Sequence, residues 1–302
     1  MSQNSPLEIS NDGKTLIKCD ERCSGEVIIP YGVTEIGLMA FCGCKNITSV
    51  VIPNSVTRVN SFAFSFCTSL TSIKIPKGVF DIDIWAFTKS GIKEIKVDED
   101  NPYYCDIDGL LYSKDKSELL YVPNNSVEGH FIIPDCVNEI GERAFEDCKS
   151  LSSIELHDNI SSIGRYAFRG FSSLTSIKLP CWLKAIGESA FEECTNLFWI
   201  VIPESVEIGE YAFRGCTHLR SIEIPNSVEK IGVDAFLDCM SLTVIHLGHP
   251  KPTDVLGDHL QLDTSKITLY VPIGSEDEYH HHPFYAKFIK IVGENINNWK
   301  RC

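Results

Sequence analysis

Short runs in which apolar and polar residues alternate recur along this chain at a nearly constant spacing. Ile73-Lys74-Ile75, Ile177-Lys178-Leu179 and Ile222-Glu223-Ile224 alternate with period two. That is the pattern of a short strand with one packed and one wet face. Pro76, Pro180, Pro203 and Pro225 close such runs, since proline cannot donate to a ladder. A second apolar pair follows, such as Val228 and Ile231, then a glycine and a turn ending in Ala-Phe. The dipeptide places phenylalanine at Phe41, Phe64, Phe87, Phe145, Phe168, Phe191, Phe213 and Phe236, with gaps of 23, 23, 58, 23, 23, 22 and 23 residues. The template is C-x-x-L-x-x-I-x-I-P-x-x-V-x-x-I-G-x-x-A-F, with clean copies from Cys44 to Phe64 and from Cys216 to Phe236.

A unit of this length is too small to bury its own apolar side. Stacked neighbours join the Leu, Ile, Val, Ala and Phe positions into one core, which predicts a parallel solenoid with one strand per coil. On these motifs the chain resembles the BspA-like class of leucine-rich repeat, over about residues 26 to 292. The resemblance implies a curved, right-handed, β-rich solenoid with short helical or 3-10 turns. It also implies kinship with bacterial surface or adhesion-type proteins that bind host proteins. Three departures stand out. Val206-Glu207-Ile208-Gly209 is a residue short, which predicts a local kink; His157 replaces the proline after Leu156; and the 58-residue gap interrupts the array.

Within the gap, residues 110 to 120 echo residues 7 to 17, and each segment reads as strand, polar turn, strand, the pattern of a β-hairpin. The expected layout is a hairpin cap over 1–25, a first repeat block over 26–97, a hairpin insertion over 98–130, a second block over 131–262 and a C-terminal cap over 263–302. With no Gly/Ser/Pro-rich linker, one continuous solenoid is expected. In the last segment, Ile267 to Pro272 reads as a final strand, and Ser275 with Glu278 as a capping box starting a short helix. Phe284, Tyr285, Phe288, Ile289 and Ile291 would cover the final coil.

Composition narrows the function classes. The chain has 302 residues, 43% hydrophobic and 23% charged, with a net charge of −14, which disfavours nucleic acid as a partner. No apolar run approaches the roughly 20 residues that span a bilayer, so no membrane insertion is expected. The first residues show neither a basic nor an apolar signal region, so the chain as written reads as cytoplasmic, whereas the family resemblance implies the cell surface or secretion. Of 13 cysteines, six follow the repeat phenylalanine by three residues (Cys44, Cys67, Cys148, Cys194, Cys216, Cys239). They read as small buried fillers with a weak donor. Cys19, Cys23, Cys42 and Cys44 only loosely mimic a zinc spacing. His280, His281 and His282 read as a solvated helix end.

Catalytic patterns are absent: no G-x-S-x-G, H-E-x-x-H, G-x-G-x-x-G or P-loop sequence occurs. No cofactor or metal is expected. The wet positions of the strand, taken as the concave face, carry the binding expectation. One series is Val51, Lys74, Lys96, Glu155, Lys178, Val201, Glu223 and His246; the other is Ser49, Ser72, Glu94, Ser153, Ser176, Trp199, Ser221 and Val244. Trp199 and Val201 are apolar where their neighbours are serine and charge. With Lys178, Glu223, His246 and Val244 they have the composition of an interface hot spot. The competing expectation is that Phe198 and Trp199 patch the short repeat. A second row, Phe62, Trp85, Tyr166 and Tyr211, with Met39, Arg143, Ser189 and Asp234 in the other coils, is expected to pack along a ridge. The sequence therefore predicts a non-enzymatic, monomeric scaffold that binds a protein, such as a host extracellular-matrix protein, through its strand face. The alternative is an assembly module that self-associates through solenoid ends or the aromatic ridge.

Overall fold

The structure is a computed structural model, described here for residues 6–124 and 126–295. The chain forms two compact units, residues 1–126 and 127–302. Each is a β-solenoid with few helices. In the first, the hairpin Leu7–Ile9 and Thr15–Cys19 is antiparallel and opens a parallel ladder through Glu35–Ile36, Arg58–Val59 and Asp81–Ile82. In the second, Glu139–Ile140, Ser162–Ile163, Ala185–Ile186 and Glu207–Ile208 form the equivalent ladder. These residues belong to the V-x-x-I half of the template. Each coil thus contributes two strand segments, not the single one expected. The second segment is only two residues long, too short for period-two alternation to register.

The I-x-I segments form the other ladder. In the first unit Ser24–Ile28 pairs with Asn46–Val51, and Ser72–Ile75 with Glu94–Val97. In the second, Ser176–Ile177, Trp199–Val201, Ser221–Ile224, Val244–Leu247, Thr268–Pro272 and Lys290–Glu294 make one six-stranded parallel sheet.

The Ala-Phe corner supplies a third set of inter-coil bonds. Met39, Phe41 and Gly43 donate their N–H groups to the carbonyls of Ser61, Ala63 and Ser65, one coil further on, at 3.1, 2.7 and 2.9 Å. Tyr166, Phe168 and Gly170 do the same to Glu188, Ala190 and Glu192. The residue before the dipeptide and the second residue after its phenylalanine are left-handed in nearly every coil: Met39 and Gly43, Phe62 and Phe66, Arg143 and Asp147, Ser189 and Glu193. These residues bend the chain through the corner while every second N–H stays aimed at the next coil. Trp85 is the exception, because its corner is the 3-10 helix Ile84–Phe87, capped by the Asp83 carboxylate.

Side chains follow the same register. The repeat phenylalanines stack within each unit, with centroids 5.1 Å apart for Phe41–Phe64 and 5.1 to 5.5 Å from Phe145 through Phe236. All are buried. Ladder hydrogen bonds fix the coil spacing, and that spacing matches offset ring stacking. The template glycine is demanded by close approach: a Cβ on Gly187 would lie 2.7 Å from the Arg165 nitrogen and the Gly164 carbonyl carbon, and on Gly232 2.3 Å from the Glu210 nitrogen.

Three sequence expectations are corrected. The shortened repeat does not kink its ladder: Ala185 and Ile186 pair with Glu207 and Ile208, and Ile208 bridges on to Ile231. The deletion is absorbed in the preceding turn, where Ser205 takes φ of 54° and its N–H donates to the Ser227 hydroxyl at 2.9 Å. Regular coils close this turn internally, as Val228 N–H does to Pro225 at 3.1 Å. The gap holds a three-stranded meander, Tyr104–Ile107, Leu110–Ser113 and Glu118–Tyr121, one strand more than the expected hairpin. At the C-terminal end the helix Glu276–His281 forms where expected, but Ser275 makes no capping box; its hydroxyl donates to the Pro250 carbonyl at 2.8 Å. The helix is a crossover, because Lys290–Glu294 follows as a further parallel strand. Tyr279, Tyr285, Phe288 and Ile291 are buried there, while Ile289 is exposed.

The backbone fit yields a paired prediction. Gly187→Ala should cost about 2 kcal/mol or more through backbone displacement. Glu193→Gly, at φ of 58°, should stabilise by about 0.5–1 kcal/mol through relief of left-handed strain. Urea unfolding of both variants checks the opposite signs.

Candidate functional site

The six-stranded sheet of the second unit presents two outward rows. Register aligns Ser176, Trp199, Ser221, Val244, Thr268 and Lys290 in one, and Val201, Glu223, His246, Tyr270 and Val292 in the other. The inward residues between them, Ile200, Ile222, Ile245, Leu269 and Ile291, are all buried. The alternation read from the template therefore places Trp199 and Val201 on the solvent side, as expected. Trp199 is 37% exposed and Phe198 is 48% exposed. With half-buried Val201 they form an apolar patch on one coil. Around it lie Thr175, Ser176 and Lys178 on the coil before, and Arg220, Ser221 and Glu223 on the coil after. The Arg220 guanidinium lies over the Phe198 ring at 5.0 Å, a cation–π contact.

Further along the rows the surroundings change. His246 stacks on Tyr270 with centroids 4.8 Å apart, and its Nδ1 meets the Glu294 carboxylate at 2.6 Å. Glu294 lies on the final strand that sequence analysis missed, so a residue expected to be free for a ligand is engaged within the fold. Val244 is half-buried between Ser221 and Thr268.

The ridge beside the Ala-Phe corner differs between units. In the first it is apolar: Leu38 and Met39 are exposed, and Phe62 meets Trp85 edge-on at 5.0 Å. In the second it is an ion-pair ladder. Arg143 is buried over the Tyr166 ring at 4.3 Å and donates to Glu146 at 2.6 Å. Arg169 reaches both Glu146 and Glu192, and Arg214 reaches Glu192. The signal was present in the residue following each dipeptide: Ala-Phe-Glu, Ala-Phe-Arg, Ala-Phe-Glu, Ala-Phe-Arg at 144–146, 167–169, 190–192 and 212–214. Opposite charges one coil apart come into contact as Phe rings do, and these carboxylates are spoken for structurally.

The cysteine slot is structural too. The thiols of Cys67, Cys194, Cys216 and Cys239 donate to the carbonyls of Phe41, Phe168, Phe191 and Phe213, each one coil earlier, at 3.0 to 3.2 Å. A valine would fill the space but could not donate. Cys44 points to the carbonyls of Cys19 and Asp20 at 3.8 Å. Burial pushes the thiols of Cys67, Cys148 and Cys239 up to about 12, and raises Cys194 and Cys216 as well.

A stack of two-ladder coils with an Ala-Phe corner defines a leucine-rich repeat solenoid. The BspA type leucine rich repeat region matches residues 20–106 and 124–250 in six copies, and the chain belongs to that family. No curated protein matches it. Among solved structures it resembles the pneumococcal vaccine antigen PcpA, with a TM-score of 0.75 and 24% identity over 90% of this chain and 68% of that one. It also resembles a leucine rich cell surface protein from Faecalibacterium prausnitzii A2-165, with a TM-score of 0.65 and 34% identity over 75% of this chain; there the match spans 60% of the relative's length. A leucine-rich repeat protein from Eubacterium ventriosum shares the fold at 21% identity and a TM-score of 0.55. Among the described residues no helix is long and apolar enough to cross a membrane.

Two predictions follow from this geometry. Trp199→Ser should change unfolding free energy by less than about 1 kcal/mol, as for an exposed side chain; a packing role would cost about 3 kcal/mol or more. Denaturant titration separates the two. For the thiols, unfolded cysteines ionise near about 8.5, whereas the buried ones keep their protons to higher pH. Above pH about 9 the unfolded chain therefore binds fewer protons, and stability should fall as pH rises. Urea midpoints at pH 8 and pH 10 test this, with a thiol reagent confined in the native protein to Cys136 and other accessible thiols.

Proposed function

We propose that this protein is a non-catalytic scaffold that binds another protein on the wet face of the six-stranded sheet, with Trp199 and Val201 as the apolar anchor. One observation carries the reading. Between coils that carry Thr175, Ser176 and Lys178 before it and Arg220, Ser221 and Glu223 after it, one coil presents exposed Phe198 and Trp199 beside half-buried Val201, and the turn that absorbs the shortened repeat lies elsewhere on the coil. An aromatic anchor ringed by polar and charged side chains is the usual make-up of an interface hot spot. The mechanism is preorganised complementarity: the ladders hold the patch rigid, so little conformational entropy is lost on docking. Lys178, Glu223, His246 and Val244 complete the face; exposed Lys178 sets orientation, while His246 is held on Tyr270 and Glu294. The family and the leucine rich cell surface protein it resembles support a place at the bacterial cell surface; the partner we propose there is a host extracellular-matrix protein.

A second reading rests on the first unit's ridge, where Leu38 is 63% and Met39 is 51% exposed. Such residues suit self-association. One experiment separates the two. Wild type and a Trp199→Ser, Val201→Lys variant of unchanged melting temperature serve as bait against purified matrix proteins and cell lysate. A partner kept by wild type and lost by the variant is the expected result. Equal retention by both would move the site off the sheet face. No partner, with mass rising with concentration in sedimentation, would favour the ridge.

A further inference from the structure

Resting on the proposal that the Trp199 patch is a docking face, we infer that its partner presents an acidic segment, with carboxylates flanking an apolar residue. The observation is the state of the two cations beside the patch. Some basic side chains of this unit sit on carboxylates, Arg165 on Glu188 at 2.8 Å, Arg169 on Glu192 at 2.9 Å, Lys266 on Asp263 at 2.6 Å and Lys287 on Asp258 at 2.9 Å, while others, such as Lys184 and Lys230, make no ion pair among the described residues. Lys178 and Arg220 are exposed and make no ion pair among the described residues. This holds in a chain of net charge −14, where carboxylates are plentiful.

Their placement gives the inference its shape. Lys178 is level with Val201 on the coil before; Arg220 follows Phe198 on the coil after, its N–H donating to the Phe198 carbonyl. The two stand at opposite corners of the apolar patch, roughly 14 Å apart at their Cα atoms from strand spacing and rise. A partner covering Phe198, Trp199 and Val201 strips water from both. Burying a cation without a counter-charge is costly, so a partner without carboxylates at those corners is rejected. Arg220 is suited to this task. Its guanidinium carbon lies 5.0 Å over the Phe198 ring and no ion pair holds the group among the described residues, so its N–H fork is available to a carboxylate. The carboxylate on the neighbouring coil, Glu223, is already engaged within the chain. An extended segment crossing between the corners spans about four residues, so the matching pattern is acidic-x-apolar-x-acidic.

The test uses the full chain and three fluorescein-labelled peptides, with cores Asp-Ser-Leu-Ser-Asp, Lys-Ser-Leu-Ser-Lys and Asp-Ser-Ser-Ser-Asp, read by anisotropy at low and high salt. The first should bind at least tenfold more tightly than either other and weaken as salt rises. A Lys178→Glu, Arg220→Glu variant, changed only at exposed positions, should reverse the preference toward the lysine peptide. Equal binding of acidic and basic peptides, both lost in Trp199→Ser, would overturn the inference while leaving the patch as a docking face. Binding of the acidic peptide that survives Trp199→Ser and the charge reversal would place it elsewhere and overturn it. Absence of binding by the acidic peptide would overturn it too, the bait experiment above judging the patch separately.

Discussion

No coil of this protein can satisfy itself. About 23 residues cannot enclose an apolar core, and their N–H groups point along the stack. The hydrogen bonds between successive coils are therefore the interaction on which everything else depends. They run in three places: the I-x-I strand, the V-x-x-I segment and the Ala-Phe corner. The corner bonds require a left-handed residue on either side of the dipeptide, and the chain accepts that conformation even at Phe62, Tyr166 and Glu193. One distance then governs every side-chain row. Phenylalanines stack, cysteine thiols reach the preceding coil's carbonyl, and template glycines touch backbone because nothing larger fits.

The same spacing explains how a repeat can carry function. A side chain inside the coil is answerable to two neighbours, so substitutions there propagate. A side chain on the wet face meets its neighbours at ladder distance but owes them little. Phe198, Trp199 and Val201 could become apolar on one coil without disturbing the next, and the ladder continues in register through the shortened repeat that follows. Rigidity comes from the backbone and identity from the exposed rows. In the second unit the Ala-Phe ridge has been given to structure instead, with Glu146, Arg169, Glu192 and Arg214 pairing from coil to coil.

Much of the architecture was legible in the chain itself. Period-two alternation, the closing proline and the recurring Ala-Phe determined the repeat, the core residues, the opening hairpin and the outward side of Trp199, because each depends on local pattern repeated at constant phase. What escaped depends on contacts between coils or across longer stretches. The V-x-x-I ladder is two residues deep and shows no alternation. The corner's left-handed residues follow no composition rule, since methionine, phenylalanine, arginine and tyrosine all occupy them. The engagement of His246 required a strand at Lys290–Glu294, which a cap reading of the terminus had hidden. Only the tertiary structure decided which charges are satisfied and which stand free, because a salt bridge between residues 23 apart exists only after the coils have stacked.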